Sequence, residues 1–272
     1  MKRQTVLKID RHLELVTRKW WFVLIILSLF FIPPYTTKPI NPEQIADIVI
    51  SVLSNALIYT KPILFPVFKI IPLLLFFLLF KYKNKARRIF SLYVTFNFLL
   101  VAIFQNMADT IDYGFTILTG NLIVSMLVIL AWLWETIIAK NDFEKIKINK
   151  INYLIVILSF IAYWYPINTE TLQPDFNLLY LVNSEAGVTF CMLVPIYLTV
   201  LILIYPRVNK VTLKITSLVG FIIGILTIVQ FFLLNPFLWW MGILHLPQLF
   251  IAFYGLVLSG RDFTAKLVRA GC

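Results

Sequence analysis

Two cysteines, two histidines and 13 acidic residues among 272 leave little chemistry to assign. Cys191 lies inside an apolar run, and Cys272 falls on the opposite side of the membrane expected below, so no disulfide joins them. His12 and His245 are separated in the same way, which removes a bis-histidine haem and any histidine-rich metal cluster. No Walker loop, GxGxxG or HExxH occurs. Neither a metal nor a cofactor is expected.

Charge is scarce as well, at 14% of residues, while 60% are hydrophobic and 16% aromatic. A water-soluble domain could not hide that much apolar surface. A spanning helix needs about 20 mostly apolar residues, and eight runs qualify. They are 20–35, 62–80, 90–106, 114–134, 151–165, 187–205, 211–234 and 237–258. The expected fold is all-α: one integral membrane domain over 1–272, a polytopic helix bundle of eight spans. The first run follows basic residues like a signal peptide, but Phe31-Ile32-Pro33-Pro34-Tyr35 offers no small-residue cleavage pattern, and an uncleaved helix is expected.

The placement of the 24 Lys and Arg orients this bundle. Threaded as eight spans, all but Lys38, Lys61 and Lys69 fall on one side: in the amino-terminal segment 1–19, three loops and the tail 259–272. Basic residues in short loops stay in the cytoplasm, so both termini are expected there, in a cell membrane. The net charge of +11 is explained by this bias and by anionic lipid heads. Nucleic acid is not an expected partner; the lipid bilayer, a small-molecule ligand and other membrane proteins are.

Between the first two runs, Asn41-Pro42-Glu43-Gln44 is a helix start: a capping side chain, proline at the first position and an amide three residues on. Ile45, Ile48, Val49, Val52, Leu53, Ala56 and Leu57 then make one apolar stripe. The pattern predicts an amphipathic helix over 41–59 lying on the outer surface.

Polar residues within the runs carry the functional reading, because each is costly in hydrocarbon unless it faces protein or a cavity. Gln105, Asn121, Thr189, Gln230, His245 and Gln248 occupy outer halves, whereas the inner halves are nearly all aliphatic or Phe. This suggests a bundle closed on the cytoplasmic side with a polar pocket open outward. Asp109, Asp112 and Glu185 would rim it and favour cations or amines. The alternative is that these groups are hydrogen-bonding glue between helices. Lys69, about 10 Å into its span by helical rise and flanked by Pro66 and Pro72, should either snorkel or pair with an outer carboxylate. His245 stands beside Pro247, where a kink is expected.

Three classes of function follow. The pocket residues Gln105, Asp109, Asp112, Asn121, Glu185, His245, Gln248 and Lys69 suit recognition or transport of a small, cationic solute. A structural subunit of a larger membrane complex needs no site. An embedded hydrolase or transpeptidase would rest on Cys191 with His245, a thiolate activated by imidazole. That pairing and the chain's size are similar to membrane peptidases of the exosortase kind. Those sites also use an arginine near the outer surface, where Arg207 does not lie.

Overall fold

The computed structural model describes residues 3–146 and 148–270, with side chains over 4–146 and 148–260. Lys2, Lys147 and Cys272 lie outside the described residues, as do the side chains of Arg261, Lys266 and Arg269. The chain is 74% helical and all-α apart from one small sheet. Helix α1 is Arg3–Thr17, α2 Trp20–Leu29, α3 Ile45–Ser54, α4 Phe65–Tyr82 and α5 Arg87–Phe104. Then come α6 Thr119–Ile138, α7 Lys150–Trp164, α8 Phe190–Leu203, α9 Lys210–Ile228 and α10 Trp239–Ala270. Among the described residues five helical segments are long and apolar enough to cross a membrane: 62–85, 87–104, 119–138, 210–234 and 236–260.

The other three expected spans form helices of only 10 to 15 residues. The run 20–35 supplies only α2, because Pro33 and Pro34 cannot continue a helix. Trp134 Nε1 nevertheless donates to Asp10 at 3.1 Å near one end of α6, while Gly120 at the other end packs on the Ile32 carbonyl. The chain therefore travels the length of α6 between Asp10 and Ile32. Run 151–165 becomes the 15-residue α7. Run 187–205 becomes α8, preceded by a segment bent away from it by 98°.

The amphipathic element expected over 41–59 is present with altered bounds. Gln44 Oε1 accepts from the Asn41 N–H at 2.9 Å, Pro42–Gln44 form a 3-10 turn, and α3 follows. It stops at Ser54, not Tyr59; Leu57–Thr60 are a separate 3-10 turn. Ile48 and Val52 of its stripe are buried against Ala108 and Leu118.

Those two residues belong to the feature that hydropathy missed. Strands β2 (Met107–Thr110) and β3 (Gly114–Ile117) form a hairpin, and β1 (Tyr35–Thr36) adds to β3, all antiparallel. Gly114, at φ 66°, makes the turn that a side chain would strain. The expected span at 114–134 therefore starts at Thr119. Helix α3 and the sheet together cap one end of the bundle.

The opposite end gathers the basic loops. Lys140 bridges Asp10 (2.7 Å) and Glu14 (2.6 Å) of α1, and Asp142 accepts from Asn84 and Arg207, each at 2.9 Å. Glu135, at the end of α6, accepts from the Asn141 N–H and the Asn209 side chain, each at 2.8 Å. Asn209 in turn caps α9 through Val211 N–H at 3.0 Å. The core between the two ends is aromatic: the Phe90 ring lies about perpendicular to Trp132 and Tyr197, with centroids 6.0 and 6.1 Å away.

Candidate functional site

The bend before α8 builds the site. The turn Glu185–Val188 runs against α4 so closely that a Cβ on Gly187 would stand 2.7 Å from the Phe68 carbonyl oxygen. That carbonyl is the one Pro72 leaves without its helical donor. Glycine here allows backbone to meet backbone, and the bend brings Glu185 and Thr189 against α5, α7 and the turn after α3.

Gln105, at the end of α5, accepts from the Phe190 N–H at 3.0 Å, satisfying one of the free donors at the start of α8. Its amide donates to the Tyr59 hydroxyl at 3.5 Å. Tyr59 also lies beside Thr189, whose hydroxyl donates to the Glu185 carbonyl at 2.9 Å. The Glu185 carboxyl lies close to the Tyr165 hydroxyl, which donates to Met241 Sδ at 3.6 Å. Five residues from four parts of the chain thus meet in one polar cluster. No basic side chain among the described residues pairs with Glu185. Burial, and then the nearby Glu185 charge, pushes the Tyr59 phenol well above its ordinary range.

Of the residues singled out from sequence, the structure brings Gln105, Thr189 and Glu185 together and disperses the rest. Asp109 and Asp112 are exposed on the hairpin, beyond the end of α5 at Phe104. Neither acts on Tyr59 or Glu185. Asn121 is half-buried in the first turn of α6. His245 bonds the Met241 carbonyl of its own helix at 2.7 Å and packs on Phe231. Gln248 donates to the Gly220 carbonyl of α9 at 2.9 Å. Cys191 has Thr227 and Gln248 as partners and is not served by His245. Lys69 neither snorkels nor meets a carboxylate: it is fully buried and donates to the Tyr163 carbonyl, with its ammonium 4.0 Å from that ring.

A single outward pocket lined by Gln105, Asn121, His245 and Gln248 is therefore not what forms. A cavity of about 300 Å³ is apolar and lies between α4, α7 and α8 toward the basic end. Tyr59 and Tyr165 were missed as site residues because tyrosine at the edge of an apolar run is indistinguishable from an interfacial belt. No group of three or more His, Cys, Asp and Glu suited to a metal occurs among the described residues. No protein-family model, curated protein or solved structure matches this chain.

Proposed function

We propose that this chain is a multi-pass protein of the cell membrane that recognises or transports a small cationic solute at the Glu185 cluster. The observation that carries this reading is a carboxylate without a basic partner, set among Tyr59, Tyr165, Gln105 and Thr189 at a broken helix. Discontinuous helices at depth are tolerated where they line a site, and transporters use them for that purpose. Burial pushes the Glu185 carboxyl up to about 7, so an ammonium or alkylamine entering beside it would favour the ionised form, with two phenol rings adding cation–π attraction. The grouping of basic loops at one end supports both termini in the cytoplasm and eight crossings, with α2, α7 and α8 as the short ones. The Glu185 cluster then faces the exterior.

The test is thermal unfolding of the purified full chain against a panel of amines and monovalent and divalent cations. A ligand at 100 times its dissociation constant adds about 2.7 kcal/mol. Wild type and Cys191→Ala should be stabilised by the same cation, whereas Glu185→Gln should unfold at a similar temperature without ligand and lose the shift. Stabilisation that survives Glu185→Gln removes the cluster as the site. No stabilisation by any cation, with a stoichiometric partner protein copurifying, replaces this reading with that of a structural subunit.

A further inference from the structure

We propose that the apolar cavity between α4, α7 and α8 holds one anionic phospholipid of the surrounding bilayer, an acyl chain inside and the phosphate at Lys81 and Lys145. The inference needs the chain to be membrane-embedded but is independent of the Glu185 cluster.

The cavity exists because α4 is fastened at both ends and stands apart between them. At one end Lys69 and Tyr163 join α4 to α7. At the other, Asn84 is bonded to Asp142 and to the Phe143 N–H, at 2.9 and 2.7 Å. About 300 Å³ remains in the gap, extending from Leu73 to Phe80 on α4, roughly 10 Å by helical rise. Leu73 and Phe80 on one side and exposed Val156 and Phe160 on the other frame an opening that faces outward between helices.

Every polar side chain in the lining is already occupied. Ser159 and Thr199 donate to the Pro195 carbonyl at 3.5 and 2.7 Å, and Tyr163 donates to the Lys69 carbonyl at 2.9 Å. Water entering would find no partners, and hydrocarbon loses nothing. The head of such a molecule is specified by charge. Lys81 directly follows Phe80, and Lys145 lies between the lining residues Phe143 and Ile146; both are exposed. Neither has a carboxylate partner among the described residues, whereas neighbouring Lys83 is engaged by Glu144 at 3.7 Å. Lys81, whose ammonium rests 5.4 Å from the Tyr82 ring, and Lys145 are two ammonium groups without a carboxylate near the end of an apolar slot, and they fit a phosphate headgroup carrying net negative charge.

The full chain in detergent, titrated with phosphatidylglycerol and separately with phosphatidylcholine under native mass spectrometry, should retain one phosphatidylglycerol at least about tenfold more tightly. Lys81→Glu with Lys145→Glu should bring the two lipids to equal affinity. Val156→Trp, which fills the opening, should abolish saturable binding of both while the helical circular dichroism is unchanged. A near-isosteric probe guards against misfolding: Ser159→Cys in a background with Cys191→Ala and Cys272→Ser should react several-fold more slowly with N-ethylmaleimide when phosphatidylglycerol is bound. Equal affinity for both lipids in the unaltered chain, retention by Val156→Trp, or an unprotected cysteine at 159 would each overturn the proposal.

Discussion

Lys69 and Tyr163 hold each other by two hydrogen bonds: the ammonium donates to the Tyr163 carbonyl, and the Tyr163 hydroxyl donates to the Lys69 carbonyl at 2.9 Å. Tyr163 lies in the last turn of α7, whose carbonyls lack helical donors and carry the negative end of the helix dipole. A lone buried lysine is explained by that position, with no carboxylate required.

Replacing Lys69 by Met keeps the volume and removes the donor. The orphaned Tyr163 carbonyl should cost about 1–3 kcal/mol, read as a lower midpoint in thermal unfolding monitored by circular dichroism. An unchanged midpoint would mean that the bond does not support the α4–α7 junction.

Gly187→Ala places a methyl 2.7 Å from the Phe68 carbonyl oxygen, against backbone that cannot rotate away. Overpacking of this kind costs about 1–3 kcal/mol. Gly260→Ala, where no atom lies within 4 Å, is the matched control and should leave the midpoint unaltered or raise it, because alanine favours a helix interior. Equal behaviour of the two variants would contradict the close approach of the turn to α4.

Asp142 gives a pH signature at the basic end. The Glu144 N–H, then the Asn84 side chain and the Arg207 charge, hold its carboxyl below the ordinary value. A depressed folded-state value stabilises the fold above the ordinary carboxylate pKa, and that contribution is lost as pH falls through the folded value. Asp142→Asn should therefore unfold at lower temperature than wild type at pH 7, with the gap closing below about pH 4. A gap that stayed constant across this range would assign the loss to shape alone.

Orientation is tested by single cysteines in a cysteine-free background and an impermeant thiol reagent on intact cells. Cysteines at Lys85 and Lys145 should be shielded and one at Glu170 should react. Labelling at Lys85 would invert the topology.

Helix content, the basic bias of alternate loops and the start of the element at Asn41 were legible because each depends on local chemistry: hydropathy, charge and caps. The sheet was not. Gly114–Ile117 is apolar enough to extend the following helix and Met107–Thr110 reads as a connection, and only their pairing with each other and with Tyr35–Thr36 makes them strands. For the candidate site, Gln105 and Glu185 stood out as polar groups beside apolar runs, but Tyr59 and Tyr165 did not.

The sequence by itself determined that this is an apolar helical chain with its basic residues segregated, since composition and period act residue by residue. Which polar groups meet was decided by tertiary structure. Pro72 opens the Phe68 carbonyl, Gly187 lets the turn approach it, and the bend before α8 then carries Glu185 to Tyr165. His245 and Gln248, at similar expected depth, are instead consumed by the Met241 and Gly220 carbonyls. Depth along a span is a one-dimensional quantity that sequence carries, whereas convergence depends on helix rotation and on breaks in helices, which are fixed only when the helices pack.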